Sequence, residues 1–64
     1  MNKKLKDARK ENGITQEEMA KMLGYSSKSG YSMIETGRNS PPLHIAIKIA
    51  EILKKDVSYL FGGN

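Results

Sequence analysis

Residues 15–37 read TQEEMAKMLGYSSKSGYSMIETG, and this stretch contains the signals for two short helices joined by a tight turn. Thr15, followed three residues later by Glu18, forms a capping box, in which each side chain accepts a hydrogen bond from the other residue's backbone N–H. Gly24 predicts the end of this helix, because glycine readily adopts the left-handed conformation that follows many helices. The apolar residues between them share one face of a 3.6-residue period: Met19, Ala20 and Leu23.

The second half of the stretch predicts a helix from about residue 28 to residue 36, with Ser27 as its cap and Gly37 as its end. The helical period turns Tyr31 and Ile34 inward. The residues that it turns outward, or leaves near the N-terminal end, are Lys28, Ser29, Ser32 and Met33. Two short helices separated by a tight turn, the second with a polar outer face, predict a helix-turn-helix.

One helix is expected before this unit and a longer one after it. Asn2 can cap the first, which should end at Gly13. Pro42 fits the first turn of the longer helix, where its missing N–H costs nothing. The sequence LHIAIKIAEILKK, residues 43–55, is apolar except for one stripe, which favours a mostly buried helix at the centre of the domain. The stripe consists of His44, Lys48, Glu51 and Lys55.

The chain is expected to form one domain, residues 1–64, because it has 64 residues and contains no repeat or low-complexity segment. A last short helix should lie between Asp56, as its cap, and Gly62. The last two residues, Gly63 and Asn64, are expected to form a frayed end or the start of a linker. The predicted fold class is therefore all-α, with five helices.

The composition excludes several kinds of protein. The absence of cysteine excludes disulfides and thiolate metal sites, and a single histidine excludes a histidine cluster. The longest apolar stretch is interrupted well before the roughly 18 consecutive apolar residues of a membrane span. The net charge of +4 permits nucleic-acid binding, although a lysine coat that keeps the protein soluble explains it equally well. The reducing cytoplasm is the expected location.

Four segments together resemble one known family. They are ITQEEMAKMLGY (14–25), IETGRNSPPL (34–43), IAIKIAEIL (45–53) and VSYLF (57–61). In order and spacing they are similar to the helix-turn-helix family of the phage Cro and C1 repressors, also called the XRE family, over about residues 3–61. The resemblance implies a compact five-helix domain of the lambda-repressor type. It also implies a homodimer that binds double-stranded DNA at a palindromic operator and represses transcription without a cofactor.

The resemblance also implies roles for individual residues. The positions that contact bases are matched by Lys28, Ser29 and Met33, with Ser32 beside them. The positions that contact phosphates are matched by Gln16, Ser27, Thr36, Arg38 and Asn39. A structural ion pair that ties the first helix to the third is matched by Arg9 and Glu35. Serine and lysine also suit base edges chemically, since both form hydrogen bonds there, although an exposed polar surface needs no such role.

Several residues, and the function itself, have a second interpretation. Gly30 either lets the third helix approach the second near Ala20 or omits a DNA contact that serine would make. Tyr59 and Phe61 either close the core or form a dimer surface. A protein-interaction module, such as the antitoxin of a toxin–antitoxin pair, is the alternative function. No metal site is expected, and no nucleophile, base and oxyanion site can be assembled, so the protein is not expected to be an enzyme.

Overall fold

Five helices follow one another along the chain in the computed structural model, which describes residues 1–62. Their bounds are Lys3–Glu11 (α1), Gln16–Met22 (α2), Lys28–Glu35 (α3), Leu43–Leu53 (α4) and Val57–Phe61 (α5). No β-strand occurs in residues 1–62, and the predicted all-α fold with five helices is confirmed. The predicted frayed end at Gly63 and Asn64 lies outside the described residues.

The first two helices begin at the predicted caps. The side-chain oxygen of Asn2 accepts a 3.0 Å hydrogen bond from the Leu5 N–H, which satisfies a donor of the first turn of α1. At the start of α2, Thr15 and Glu18 exchange hydrogen bonds of 2.9 and 3.1 Å, so the capping box is formed. The bond from the Thr15 backbone N–H holds the pKa of the Glu18 carboxyl below its ordinary value.

α3 and α5 begin directly after their predicted caps, but neither cap forms a side-chain capping bond. Ser27 precedes α3, but its hydroxyl makes no capping bond and instead lies 2.8 Å from the Ser29 hydroxyl. Pro42 precedes the first turn of α4 in an extended conformation, so the helix starts at Leu43 rather than at the proline. Asp56 precedes α5 without a side-chain capping bond. These three helices therefore begin without a side-chain capping bond.

The stop at Gly24 is formed as predicted, with a φ of 83°, and the stop at Gly37 has a φ of 85°. Glycine has no Cβ to crowd the following carbonyl in this region, which is why it suits both helix ends. α4 ends differently, because Lys54 takes a φ of 59° in the same left-handed region. The glycines at the ends of α2 and α3 can be recognised in the sequence as helix stops, whereas the end of α4 cannot.

All five helices contribute to one core. α2 and α3 pack most extensively against each other, while α1 contacts both α3 and α5. The inward-pointing Tyr31 is completely buried, as the helical period predicts. The apolar core side chains are Leu5, Ala8, Met19, Ala20, Leu23, Tyr31, Ile34, Ile49, Ala50, Leu53 and Leu60.

α4 is less buried than its composition suggests. It packs closest to α5, and one side of it carries Leu43, 70% exposed, and Ile47, 43% exposed. Its buried residues are Ala46, Ile49, Ala50 and Leu53. The prediction of a mostly buried helix was therefore wrong: the polar stripe is narrow, but the rest of the surface of α4 has more apolar side chains than its neighbours can cover.

Asn2 joins three helices at one point. Besides capping α1, it donates from its backbone N–H to the Glu35 carbonyl oxygen at 2.8 Å, at the end of α3. Its side-chain amide donates to the Leu60 carbonyl oxygen at 2.6 Å, within α5. The beginning of the chain thus contributes directly to the position of the helix-turn-helix unit.

Candidate nucleic-acid interface

The outer face of α3 presents small and flexible side chains to solvent. Lys28, Ser29 and Met33 are exposed, and Ser32 is half-buried. The Ser32 hydroxyl donates to the carbonyl oxygen of Ser29 at 3.3 Å, so in this structure it faces its own helix. Of the four residues predicted to contact bases, Lys28 and Ser29 are therefore the most accessible polar ones.

A tight loop follows α3 and presents three more of the predicted contact residues. Thr36, Arg38 and Asn39 are exposed. The backbone N–H groups of Arg38 and Asn39 donate to the Met33 carbonyl oxygen at 2.9 and 3.1 Å, and the Thr36 hydroxyl approaches it at 3.3 Å. These bonds fold the loop back on the last turn of α3, so its side chains are held beside the exposed helix face.

Gln16 lies at the first position of α2, beside a surface groove. The groove runs between the end of α1 and the start of α2 and is also lined by Lys10, Thr15 and Lys28. The side chain of Gln16 is half-buried, and its amide nitrogen donates to Glu35 Oε1 at 3.0 Å. A predicted phosphate contact and a predicted base contact, Lys28, thus share one groove, although they belong to different helices.

Beneath this surface, the Glu35 carboxylate accepts four hydrogen bonds. The Arg9 guanidinium donates two, from Nε at 2.8 Å and from Nη2 at 3.0 Å. The Tyr31 hydroxyl donates at 2.7 Å and the Gln16 amide at 3.0 Å. Glu35 is only 1% exposed, so these protein donors replace the water molecules that would otherwise solvate the carboxylate. The resemblance implied the pair of Arg9 and Glu35, and the two side chains do meet in this way.

The contributions of Tyr31 and Gln16 to this cluster were missed by the sequence reading. Tyr31 and Glu35 are four residues apart on one helix, a spacing that brings side chains together and could have indicated the contact. No comparable signal links Gln16 to Glu35, because 19 residues and a turn separate them. The helix-turn-helix packing brings these two residues together.

Arg9 and Glu35 both remain ionised in this cluster. Burial alone would raise the pKa of Glu35, but the hydrogen bonds from Arg9, Tyr31 and Gln16 outweigh it and hold the pKa below its ordinary value. The hydrogen bond to Glu35 also raises the pKa of Arg9. Burial raises the pKa of Tyr31, whose hydroxyl stays a proton donor to the carboxylate. Each oxygen of the Glu35 carboxylate thus accepts two hydrogen bonds from neutral and cationic donors.

A family model described as helix-turn-helix matches residues 5–60. The chain belongs to the Cro/C1-type helix-turn-helix family. A curated protein of Archaeoglobus fulgidus, named an uncharacterized HTH-type transcriptional regulator, is 33% identical over 61 residues, or 95% of this chain and 86% of that protein. No solved structure matches the chain.

In this helix-turn-helix domain, Gly30 has a specific neighbour. A Cβ atom added there would lie 2.8 Å from two atoms of the Tyr25 ring, much closer than atoms pack. Tyr25 belongs to the turn, and its backbone N–H donates to the Ala20 carbonyl oxygen at 2.9 Å. Gly30 therefore does serve packing, because it leaves room for the side chain of Tyr25. The sequence had suggested instead that Gly30 lets α3 approach α2 near Ala20.

At the other end of the helix-turn-helix domain, Tyr59 and Phe61 differ in exposure. Phe61 is half-buried and packs against the core, whereas Tyr59 is 46% exposed. The Nζ atoms of Lys4 and Lys55 lie 5.0 and 5.4 Å from the centre of the Tyr59 ring, within the range of cation–π attraction. Lys55, in the loop before α5, also lies 3.9 Å from the Glu11 carboxylate at the end of α1.

In residues 1–62 no group of histidine and acidic side chains is arranged to hold a metal ion. No helix within the same residues combines the length and the apolar character that crossing a bilayer requires.

Proposed function

We propose that the protein is a sequence-specific DNA-binding transcriptional regulator that acts as a repressor. The observation that carries this proposal is the outer face of α3, which directly follows the turn of a Cro/C1-type helix-turn-helix and is largely exposed to solvent. In helix-turn-helix proteins the second helix of the unit lies in the major groove of DNA. A bound dimer would exclude other proteins from the same DNA, which is the simplest mechanism of repression.

Base reading is assigned to α3. Lys28 can donate to guanine O6 or N7, and the Ser29 hydroxyl can donate or accept at either base of a pair. Met33, 36% exposed, offers an apolar surface to a thymine methyl group. Ser32 can join them if its hydroxyl rotates away from the carbonyl oxygen of Ser29, to which it now donates. Bidentate or paired contacts of this kind discriminate against the wrong base by about 1–3 kcal/mol each.

Phosphate contacts are assigned to the residues on both sides of α3. Gln16 and Ser27 would hold one stretch of backbone, and Thr36, Arg38 and Asn39 another. Such contacts fix the position of the protein on the duplex and supply most of its non-specific affinity. With a net charge of +4, the domain should bind more weakly as salt increases.

The regulator is proposed to act as a homodimer through the side formed by α4 and α5. Tyr59 is the exposed aromatic residue there, and Ile47 and Leu43 add exposed apolar surface. Phe61 contributes less, because part of it packs against the core. Two copies related by a two-fold axis would place two α3 helices about 34 Å apart, one turn of the duplex. The operator would then be palindromic, and the regulator would act in the cytoplasm without a cofactor or a small-molecule ligand.

Selection of bound duplexes from a random pool tests this proposal. A palindromic sequence with half-sites about one helical turn apart is the expected result. A selected sequence without symmetry would contradict the dimer, and a pool without enrichment would contradict sequence-specific binding. In the latter case, a stable protein partner that co-purifies with the chain would support the interaction-module alternative.

Single substitutions then separate base contacts from phosphate contacts. Lys28→Ala and Ser29→Ala should weaken binding to the selected site by about 1–3 kcal/mol and change binding to random DNA much less. Arg38→Ala should weaken both alike and reduce the salt dependence by about one phosphate contact. Lys48→Ala and Ser58→Ala are matched controls, since these exposed residues lie on α4 and α5, away from the proposed DNA contacts. Because these two helices also form the proposed dimer surface, each control must first be shown to form the same dimer as the wild type. Equal losses from the controls would show a general effect of charge or stability.

A further inference from the structure

The four hydrogen bonds to Glu35 come from donors of two kinds. Arg9 and Tyr31 are buried, and their bonds hold the carboxylate in the core. Gln16 is half-buried, and its side chain extends from the carboxylate to the groove shared with Lys28. Gln16 is thus the member of the cluster that connects the interior to the proposed DNA-binding surface.

The bond to Glu35 determines which way the Gln16 amide faces. The amide has two N–H donors and one oxygen, and the carboxylate of Glu35 accepts from the nitrogen at 3.0 Å. If the amide were turned by half a rotation, its oxygen would face the ionised carboxylate and repel it. Because the nitrogen is held inward, its second N–H is left for an acceptor at the surface. Within residues 1–62 the Gln16 side chain has no other hydrogen-bond partner.

We propose that Glu35 is a positioning residue for the phosphate contact of Gln16. The buried carboxylate, itself fixed by Arg9 and Tyr31, holds the Gln16 amide in one orientation before DNA arrives. The second N–H then meets a phosphate oxygen without the loss of side-chain freedom that an unrestrained glutamine would suffer. This inference rests on the proposed function, and it gives the buried cluster a part in DNA affinity besides its part in folding.

A double-mutant cycle on DNA affinity tests the coupling. Gln16→Ala is measured in three backgrounds: the wild type, Tyr31→Phe, and an apolar background with Arg9→Met, Tyr31→Phe and Glu35→Met. Replacing a buried ion pair together with its partner groups by apolar side chains often preserves the fold. Tyr31→Phe is the matched control, because it removes a bond to the same carboxylate and leaves the bond of Gln16.

The cost of Gln16→Ala should depend on the background. In the wild type and in Tyr31→Phe it should weaken binding about tenfold, the effect of losing one good hydrogen bond to a charged group. In the apolar background, with folding checked by circular dichroism, it should weaken binding no more than about twofold. An equal cost in all three folded backgrounds would overturn the inference.

A second measurement needs no substitution in the ion pair. Gln16 is the sole glutamine in the sequence, so its side-chain NH₂ signals in a ¹⁵N spectrum can be assigned by residue type. In the DNA-free protein, one of the two protons should be shifted and should exchange with water more slowly than the other, and Tyr31→Phe should preserve this difference. Two protons that exchange at the rate of free glutamine would overturn the inference, whether or not the apolar background folds.

These outcomes separate the inference from the proposed function. If the wild type binds no duplex selectively, the proposed function fails and the inference fails with it. If the wild type binds a selected site and Gln16→Ala binds it equally well, regulation through α3 stands and the positioning role alone is overturned.

Discussion

The first three helices and the last two are held in place by different means. Between α1, α2 and α3, a buried carboxylate with four hydrogen bonds accompanies the apolar contacts. Between α4 and α5, apolar side chains do the packing, and Leu43, Ile47 and Tyr59 remain exposed. The first region has one well-determined geometry, whereas the second has apolar surface left over.

This difference suits the roles proposed for the two regions. Hydrogen bonds fix distances and directions, and a helix that reads bases must be placed within fractions of an ångström. Apolar contact is less directional, so a surface proposed to bind a second copy would need no such network. The comparison therefore predicts different responses to substitution in the two regions.

The largest expected effect is the loss of the buried carboxylate. Glu35→Ala leaves the Arg9 guanidinium buried without its partner, which should lower the free energy of unfolding by about 3–5 kcal/mol. Urea denaturation followed by circular dichroism measures the loss. Glu51→Ala is the control, because Glu51 is an exposed glutamate on α4 and should change stability by no more than about 0.5 kcal/mol. Similar losses from both would contradict the distinction between the two regions.

Within α4, two isoleucines provide the next test. Ile49 is fully buried, so Ile49→Ala should lower the free energy of unfolding by about 2–4 kcal/mol. Ile47 lies on the exposed side, so Ile47→Ala should lower the free energy of unfolding by no more than about 0.5 kcal/mol when the protein is dilute enough to be monomeric. Thermal unfolding of the two variants at the same concentration measures the contrast. If Ile47→Ala proved as costly as Ile49→Ala, α4 would be buried on both sides.

Acid should weaken the first region more than the second. The pKa of Glu35 lies below its ordinary value of about 4.3, which we take for the unfolded chain. Its contribution to stability is therefore complete above about pH 4.3 and is lost as pH falls through the lower folded value. Urea unfolding at a series of pH values should show this loss in the wild type. The variant with Arg9→Met, Tyr31→Phe and Glu35→Met should lose less stability as the pH falls. If its pH dependence were identical to that of the wild type, Glu35 would be excluded as the source of the loss.

The smallest expected effect concerns the turn. Gly30→Ala gains about 0.5–1 kcal/mol of helix preference, but the contact with Tyr25 should cost more, since overpacking costs about 1–3 kcal/mol. The variant should therefore be less stable than the wild type by about 1 kcal/mol. In a Tyr25→Ser background the same change should become stabilising by about 0.5–1 kcal/mol. If Gly30→Ala were stabilising in both backgrounds, Tyr25 would move aside without cost; if it were destabilising in both, the cost would not come from Tyr25.

The sequence predicted best those features that depend on near neighbours in the chain. The capping box of Thr15 and Glu18 needs only a three-residue spacing, and Gly24 needs only a backbone freed from Cβ crowding. Tyr31 lies inside because the helical period places it there, whatever it meets. These local rules were sufficient to predict five helices and the face that α3 turns to solvent.

The features that it did not predict depend on groups that folding brings together. Nothing near Gln16 in the sequence indicates the Glu35 carboxylate, and the pair of Arg9 and Glu35 was expected only from the family resemblance. The partner of Gly30 was misjudged because the direction of the Tyr25 side chain is set by the turn. The contacts of Lys28, Ser29 and the other interface residues with DNA stay predictions.

The misjudged burial of α4 has a physical reason. Periodicity tells which side of a helix is apolar, but not whether the rest of the molecule is large enough to cover it. A domain of this size buries only about 60% of the surface its unfolded chain exposes. Some apolar side chains must therefore stay outside, and Leu43 and Ile47 are two of them.

The hydrogen bonds of Asn2 have a consequence for how the molecule opens. α5 has five residues, too few to be stable as an isolated helix, and its Leu60 carbonyl is bonded to a residue 58 positions earlier. Asn2 also starts α1 and holds the end of α3. The first turn of α1 and the last helix should therefore open together in amide hydrogen exchange, as one cooperative unit rather than as two independently fraying ends.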